Sequence, residues 1–123
     1  MTESPSFTIV ALLEDARLST RLLGYCERSN YRIEFPDSDN AVEHCSAIKQ
    51  GLVLVEIDLR HPRLLQVGHE IKQKTGMPVI GVIEQFCRQV QQQADELGFD
   101  LVVPKPFFTQ NLDALIQQIQ KAE

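Results

Sequence analysis

Five carboxylates and one lysine recur at the same kind of place in this chain, just beyond a run of apolar residues. Glu14 and Asp15 follow "FTIVALL", Glu56 and Asp58 close "LVLVEIDLRHP", Glu84 follows "PVIGVI", and Lys105 follows "LVVP". Carboxylates gathered in one place repel one another unless a metal ion or a lysine offsets them. If the chain folds so that these ends meet, the chemistry on offer is that of an acidic cation pocket facing Lys105. Taken alone, Glu14 and Asp15 would also suit the start of a helix, whose dipole favours negative charge.

The elements that must position these residues alternate. Strands are predicted over Phe7–Leu13, Tyr31–Phe35, Leu52–Glu56, Pro78–Ile83 and Asp100–Val103, most of them rich in Val, Ile or Leu. Helices are predicted between and after them. Arg17–Glu27 carries Leu18, Leu22, Tyr25 and Cys26 on one face, and Asn40–Lys49 carries Ala41, Val42, Cys45 and Ile48 with Asp39 as N-cap. Leu64–Lys74 ends near Gly76, Phe86–Leu97 stops at Gly98, and a last helix capped by Thr109 carries Leu112, Leu115, Ile116 and Ile119. Five strands alternating with five helices predict an α/β domain with a doubly wound parallel sheet. Right-handed crossovers put helices on both faces and gather chemistry at the carboxyl ends of the strands, where the six charged residues lie.

Composition narrows the function classes. A length of 123 residues with 43% hydrophobic content suits one domain, expected over 7–121 behind a short flexible leader, 1–6. Twelve basic and 17 acidic side chains give a net charge of −5 without long blocks, which argues against nucleic acid or an anionic membrane as partner. No apolar run approaches the roughly 20 residues of a membrane helix, and "MTESPS" lacks the pattern of a secretory signal, so a cytoplasmic protein is expected. Cys26, Cys45 and Cys87 are widely spaced and read as reduced core fillers. His44, His61 and His69 have no metal-ligand spacing.

"LLEDARLSTRLL", "YRIEFPDSDNAVE" and "VVPKPF" resemble, in turn, the acidic pair and first helix, the second strand and second helix, and the lysine-proline signature of response-regulator receiver domains. The resemblance runs from about Phe7 to Ile119 and implies a flavodoxin-like sheet of order 2-1-3-4-5. Ungapped spacing from Ala41 to Glu56 and from Ile83 to Lys105 puts Glu56 on the family's phosphate-accepting aspartate, Ile83 on its switch threonine or serine, and Val102 on its switch aromatic residue. By the same resemblance Glu14 and Asp15, with Asp58, would be the residues to hold Mg2+, and Lys105, followed by Pro106 and usually a cis bond before it, would stabilise developing charge.

The departures carry chemical consequences. Glutamate is one methylene longer than aspartate, which would misplace in-line attack by about an ångström, enough to cost about 10²-fold in rate. Extended toward Lys105, Glu56 could instead imitate a phosphorylated acceptor. Ile83 has no hydroxyl and Val102 no ring, so the usual switch lacks two stations. The expectation is therefore a pseudo-receiver that is not an enzyme and signals by protein contact in a two-component pathway. Its partner would be a histidine kinase or another signalling protein, met through the fourth helix, fifth strand and fifth helix, where Gln89, Gln91, Gln92 and Gln93 lie. The alternatives are a phosphoacceptor that uses Asp58 with Mg2+, aided by the proline of "DLRHP", and a small enzyme or flavin-binding protein. The last is disfavoured by the acidic "LLEDAR", which stands where a phosphate loop would be, and by the absence of tryptophan.

Overall fold

Five short runs are strands, four of them dominated by Val, Ile and Leu and one, β2, carrying Ile33 alone: β1 Thr8–Leu12, β2 Arg32–Glu34, β3 Gly51–Ile57, β4 Val79–Ile83 and β5 Leu101–Pro104. The computed structural model describes residues 7–58, 60 and 62–122, with side chains as far as residue 119. The leader 1–6 and His61 lie outside the described residues. All strand pairings are parallel and the order is β2-β1-β3-β4-β5, so the chain reverses its direction of winding between β1 and β3.

Six helices connect and follow the strands: α1 Ala16–Ser29, α2 Ala41–Ser46, α3 Arg63–Thr75, α4 Arg88–Glu96, α5 Lys105–Gln110 and α6 Leu112–Ala122, with one 3-10 turn at Ser38–Asn40. Strand alternation sends side chains to two apolar layers. Ile9, Ala11, Leu52, Leu54, Ile80, Val82 and Val103 pack with α1, α5 and α6. Val10, Leu12, Val53, Val55, Ile57, Val79, Ile83 and Val102 pack with α2, α3 and α4. Most of these side chains are fully buried, and each contributes about 1.5–3 kcal/mol relative to exposure.

Helix ends follow local chemistry. Asp15 caps α1, accepting from the backbone N–H of Arg17 at 2.9 Å and Leu18 at 3.2 Å. Asn30 closes the helix at φ 61°, and Gly76 closes α3 at φ 73°, both left-handed positions that the sequence fills with residue types that tolerate them.

Four expectations are corrected. A helix that was not predicted precedes the expected last one, α6: the chain turns into α5 directly after Pro104, is anchored by the fully buried Phe108, and breaks at Asn111. Asn111 donates from its backbone N–H and its Nδ2 to the Phe107 carbonyl, each at 3.0 Å, while its own carbonyl accepts from Leu115. Thr109 therefore lies inside α5, bonded to the Pro106 carbonyl, and caps nothing. Asp39 does not cap α2 either: the 3-10 turn intervenes, and its carboxylate is taken by Arg63. No peptide bond among the described residues is cis, including that before Pro106; Lys105 is already helical, and a trans bond leads straight into α5.

Candidate functional site

Glu56 belongs to the row of β3 side chains that includes Leu52 and Leu54, pointing to the α1 side of the sheet at its carboxyl end. The chain brings Asp15, Glu56 and Glu84 to the ends of β1, β3 and β4, and Lys105 to the end of β5. Lys105 Nζ lies 3.1 Å from Asp15 Oδ2, 3.1 Å from Glu56 Oε2 and 3.0 Å from Glu84 Oε1. One amine thus donates to three carboxylates that come from three strands. Burial alone would lower the Lys105 amine, but hydrogen bonds to Glu84, Glu56 and Asp15 outweigh it and hold the ammonium form well above its ordinary range.

The extra methylene of Glu56 has a visible use. Its second oxygen, Oε1, crosses to the end of β1 and accepts from the backbone N–H of Glu14 at 2.7 Å and of Asp15 at 3.0 Å. Both carboxylate oxygens are therefore engaged, and the side chain is only 14% exposed. The Asp15 carboxyl is held below its usual range, first by the hydrogen bond from Lys105 and then by the Leu18 N–H at the start of α1.

Asp58, one bridge beyond β3, faces Arg60. Arg60 donates from its backbone N–H at 2.9 Å and from Nε at 3.2 Å to Oδ1, and from Nη2 at 3.1 Å to Oδ2. This is a bidentate guanidinium–carboxylate pair. Glu14 is exposed, contributing its backbone N–H to Glu56. Ile83 and Val102 are buried in the α2–α4 layer, across the sheet from the row that holds Glu56. Pro106 sits in the first turn of α5, where its missing N–H leaves no bond unmade. His44 pairs with Glu34, and His69 Nδ1 meets the Leu97 carbonyl at 2.9 Å, so both bind β2 or α4 neighbours and not the pocket.

The sequence reading missed two partners here. The N–H groups that receive Glu56 carry no residue signature, whereas Arg60, two residues from Asp58, was open to recognition as a neighbour of opposite charge.

No family model matches this chain, and no curated protein sequence matches it. Solved structures do. A two-component response regulator from Clostridium difficile superposes with a TM-score of 0.81 at 20% identity, covering 94% of this chain and 97% of its own. A response regulator from Thermotoga maritima gives 0.79 at 15% identity, covering 93% and 97%. The chain has the receiver-domain fold. The receiver domain of a sensor histidine kinase from Pseudomonas aeruginosa, solved with a magnesium ion in its active-site cleft, gives 0.76 at 17% identity, covering 92% and 96%.

Glu14, Asp15 and Asp58 of this chain are hard oxygen donors of the kind Mg2+ takes. Among the described residues no three His, Cys, Asp or Glu side chains are grouped as a ready metal cage. Mg2+ would have to compete with Lys105 for Asp15 and with Arg60 for Asp58.

Proposed function

We infer that this chain is a receiver-like module of two-component signalling that works by protein contact, independently of aspartyl phosphorylation. The receiver fold supports the signalling class, and the single observation that carries the finer reading is the state of Glu56. The side chain that the resemblance sets at the acceptor position is bound through one oxygen to Lys105 and through the other to two backbone N–H groups. A charge-assisted contact to the lysine, which a receiver would otherwise gain with a phosphoryl group, is thereby built into the side chain. With Ile83 and Val102 in the core, neither a hydroxyl nor a ring is at hand to report a change of state.

As a cytoplasmic signalling domain and not an enzyme, it would meet a histidine kinase or another signalling protein through α4, β5 and α6. The exposed amides of Gln89, Gln92 and Gln93 on α4 offer such a partner hydrogen bonds without charge to desolvate.

The test is intact mass after incubation with a small-molecule phosphodonor and Mg2+, for wild type, Glu56→Asp and Asp58→Asn. Wild type should stay unmodified. Labelling of Glu56→Asp alone would support a pocket intact apart from its acceptor. A phosphoryl group on wild type that disappears in Asp58→Asn would replace this reading with the Asp58 phosphoacceptor.

A further inference from the structure

At the end of the sheet away from Lys105, a cavity of about 350 Å³ opens beneath the first residues of β3, β4 and β5, beside the carboxyl end of α3. Its charged wall is Lys49, Lys72 and Asp100, and its apolar wall is Ile48, Met77, Pro78 and Ile119. Packed elements leave few voids of this size, and it falls within the range of about 300–1,000 Å³ that small-molecule sites occupy.

The main chain supplies a reason for the gap. Val53 donates its N–H to the Pro78 carbonyl at 2.9 Å, and alternate residues of a parallel strand face the same neighbour, so the backbone groups of Gly51 also turn toward β4. The next donor down this ladder would be the N–H of residue 78. That residue is a proline and has none, so the Gly51 carbonyl lacks its ladder bond. No strand residue lies opposite the Gly51 N–H either, since β4 begins only at Val79. Gly51 is buried and lines the cavity, and buried backbone groups are nearly always paired. A Cβ here would run into the Thr8 carbonyl oxygen, so the close approach keeps both groups bare of a side chain.

The charged wall is only partly satisfied. Lys72 is fully used: Nζ donates to both oxygens of Asp100, at 3.1 and 2.9 Å, and to the Met77 carbonyl at 3.4 Å. Asp100 accepts from Lys72 on both oxygens and from the Val79 N–H at 2.8 Å on one, which leaves it capacity for a further donor. Lys49 is exposed and, among the described residues, its ammonium has no hydrogen-bond or ion-pair partner. The cavity thus presents two free donors, Lys49 and the Gly51 N–H, and two acceptors, the Gly51 carbonyl and Asp100. The carboxyl end of α3 adds negative potential beside the acceptors.

We propose that this cavity binds a free α-amino acid with an apolar side chain. Its carboxylate takes Lys49 and the Gly51 N–H, its ammonium takes the Gly51 carbonyl and Asp100, and its side chain lies on the apolar wall. A simple anion leaves both acceptors unmet, and a simple cation leaves both donors unmet; a molecule with the two charges on one carbon answers both pairs. The proposal goes beyond the protein-contact reading and does not depend on it, since no lining residue belongs to the cluster around Lys105.

The experiment is a titration of the full chain, followed by amide NMR, with L-leucine, with isocaproate, which lacks the ammonium, and with isoamylamine, which lacks the carboxylate. Leucine should shift the amides of Gly51, Gly76 and Met77 saturably and leave that of Asp15 in place, and each half-molecule should bind at least about tenfold more weakly. Lys49→Glu, at an exposed position, should weaken leucine at least about fivefold. Asp100→Asn, which keeps an oxygen for the Val79 N–H, should weaken leucine more than isocaproate, a difference that general loosening would not produce; circular dichroism checks the fold of both variants. No saturable shift at tens of millimolar leucine, half-molecules that bind as tightly as leucine, shifts confined to the Lys105 end of the sheet, or undiminished binding by Lys49→Glu would each overturn the proposal. Phosphodonor labelling, read separately by mass, tests the functional reading without touching this one.

Discussion

At the scale of single residues the pocket is a balance of charges around Lys105. Replacing Lys105 by Met would leave Asp15, Glu56 and Glu84 facing one another without their cation, and a loss of roughly 2–3 kcal/mol is expected in urea unfolding. Glu56→Gln should cost less, because the amide oxygen can still accept from the N–H groups of Glu14 and Asp15 while only the ion pair to Lys105 is lost. The pH dependence follows from the Asp15 carboxyl, held low by Lys105 and the Leu18 N–H. A depressed folded-state pKa contributes stability that is present above the ordinary aspartate value of about 3.9 and is lost as pH falls through the folded value. Stability measured from pH 5 downward should therefore fall, and in Lys105→Met the part of that slope due to Asp15 should shrink. That Asp15, Glu56, Glu84 and Lys105 would meet was legible because each follows an apolar run and strand ends on one side of a parallel sheet converge, whereas Glu14 offers only its backbone N–H and Asp58 turns to Arg60. The reach of Glu56 to Lys105 was legible, but the use of its other oxygen was not, since those partners are main-chain groups that any residue would supply.

At the scale of elements, strand existence was plain in most of the runs, and no strand boundary moved by more than one residue. The extra helix α5 was hidden, because "PKPF" has the look of a turn and the break at Asn111 depends on Phe108 reaching the core. Close approaches between elements were equally hidden, and they make sharp predictions. A Cβ at Gly51 would run into the Thr8 carbonyl oxygen of the neighbouring strand, where backbone must move, whereas at Gly68 it would meet the ring of Phe99. Gly51→Ala should thus destabilise by about 3 kcal/mol or more, and Gly68→Ala by about 1–3 kcal/mol, with Phe99→Leu added to Gly68→Ala recovering part of the loss. Thermal unfolding of the two single variants and the double variant checks both the order and the recovery.

At the scale of the whole molecule, two apolar layers flank one sheet, and the thiols report on them separately. Burial pushes the Cys26 and Cys45 thiols up to about 11, and the two lie in opposite layers, while Cys87 is half-exposed. In a thiol-reagent assay at neutral pH, Cys87 should react first, and Cys26 and Cys45 only as the native structure opens, so their rates measure opening of each layer. The same partition bears on how a message could cross the molecule. Glu56 faces the α1 side, while Ile83 and Val102 are set in the α2–α4 side, so the sheet stands between the pocket and α4. Glu84, at the head of the segment leading into α4 and 83% exposed, ties that segment to Lys105 by a tether that lies in water and should slacken as salt is added.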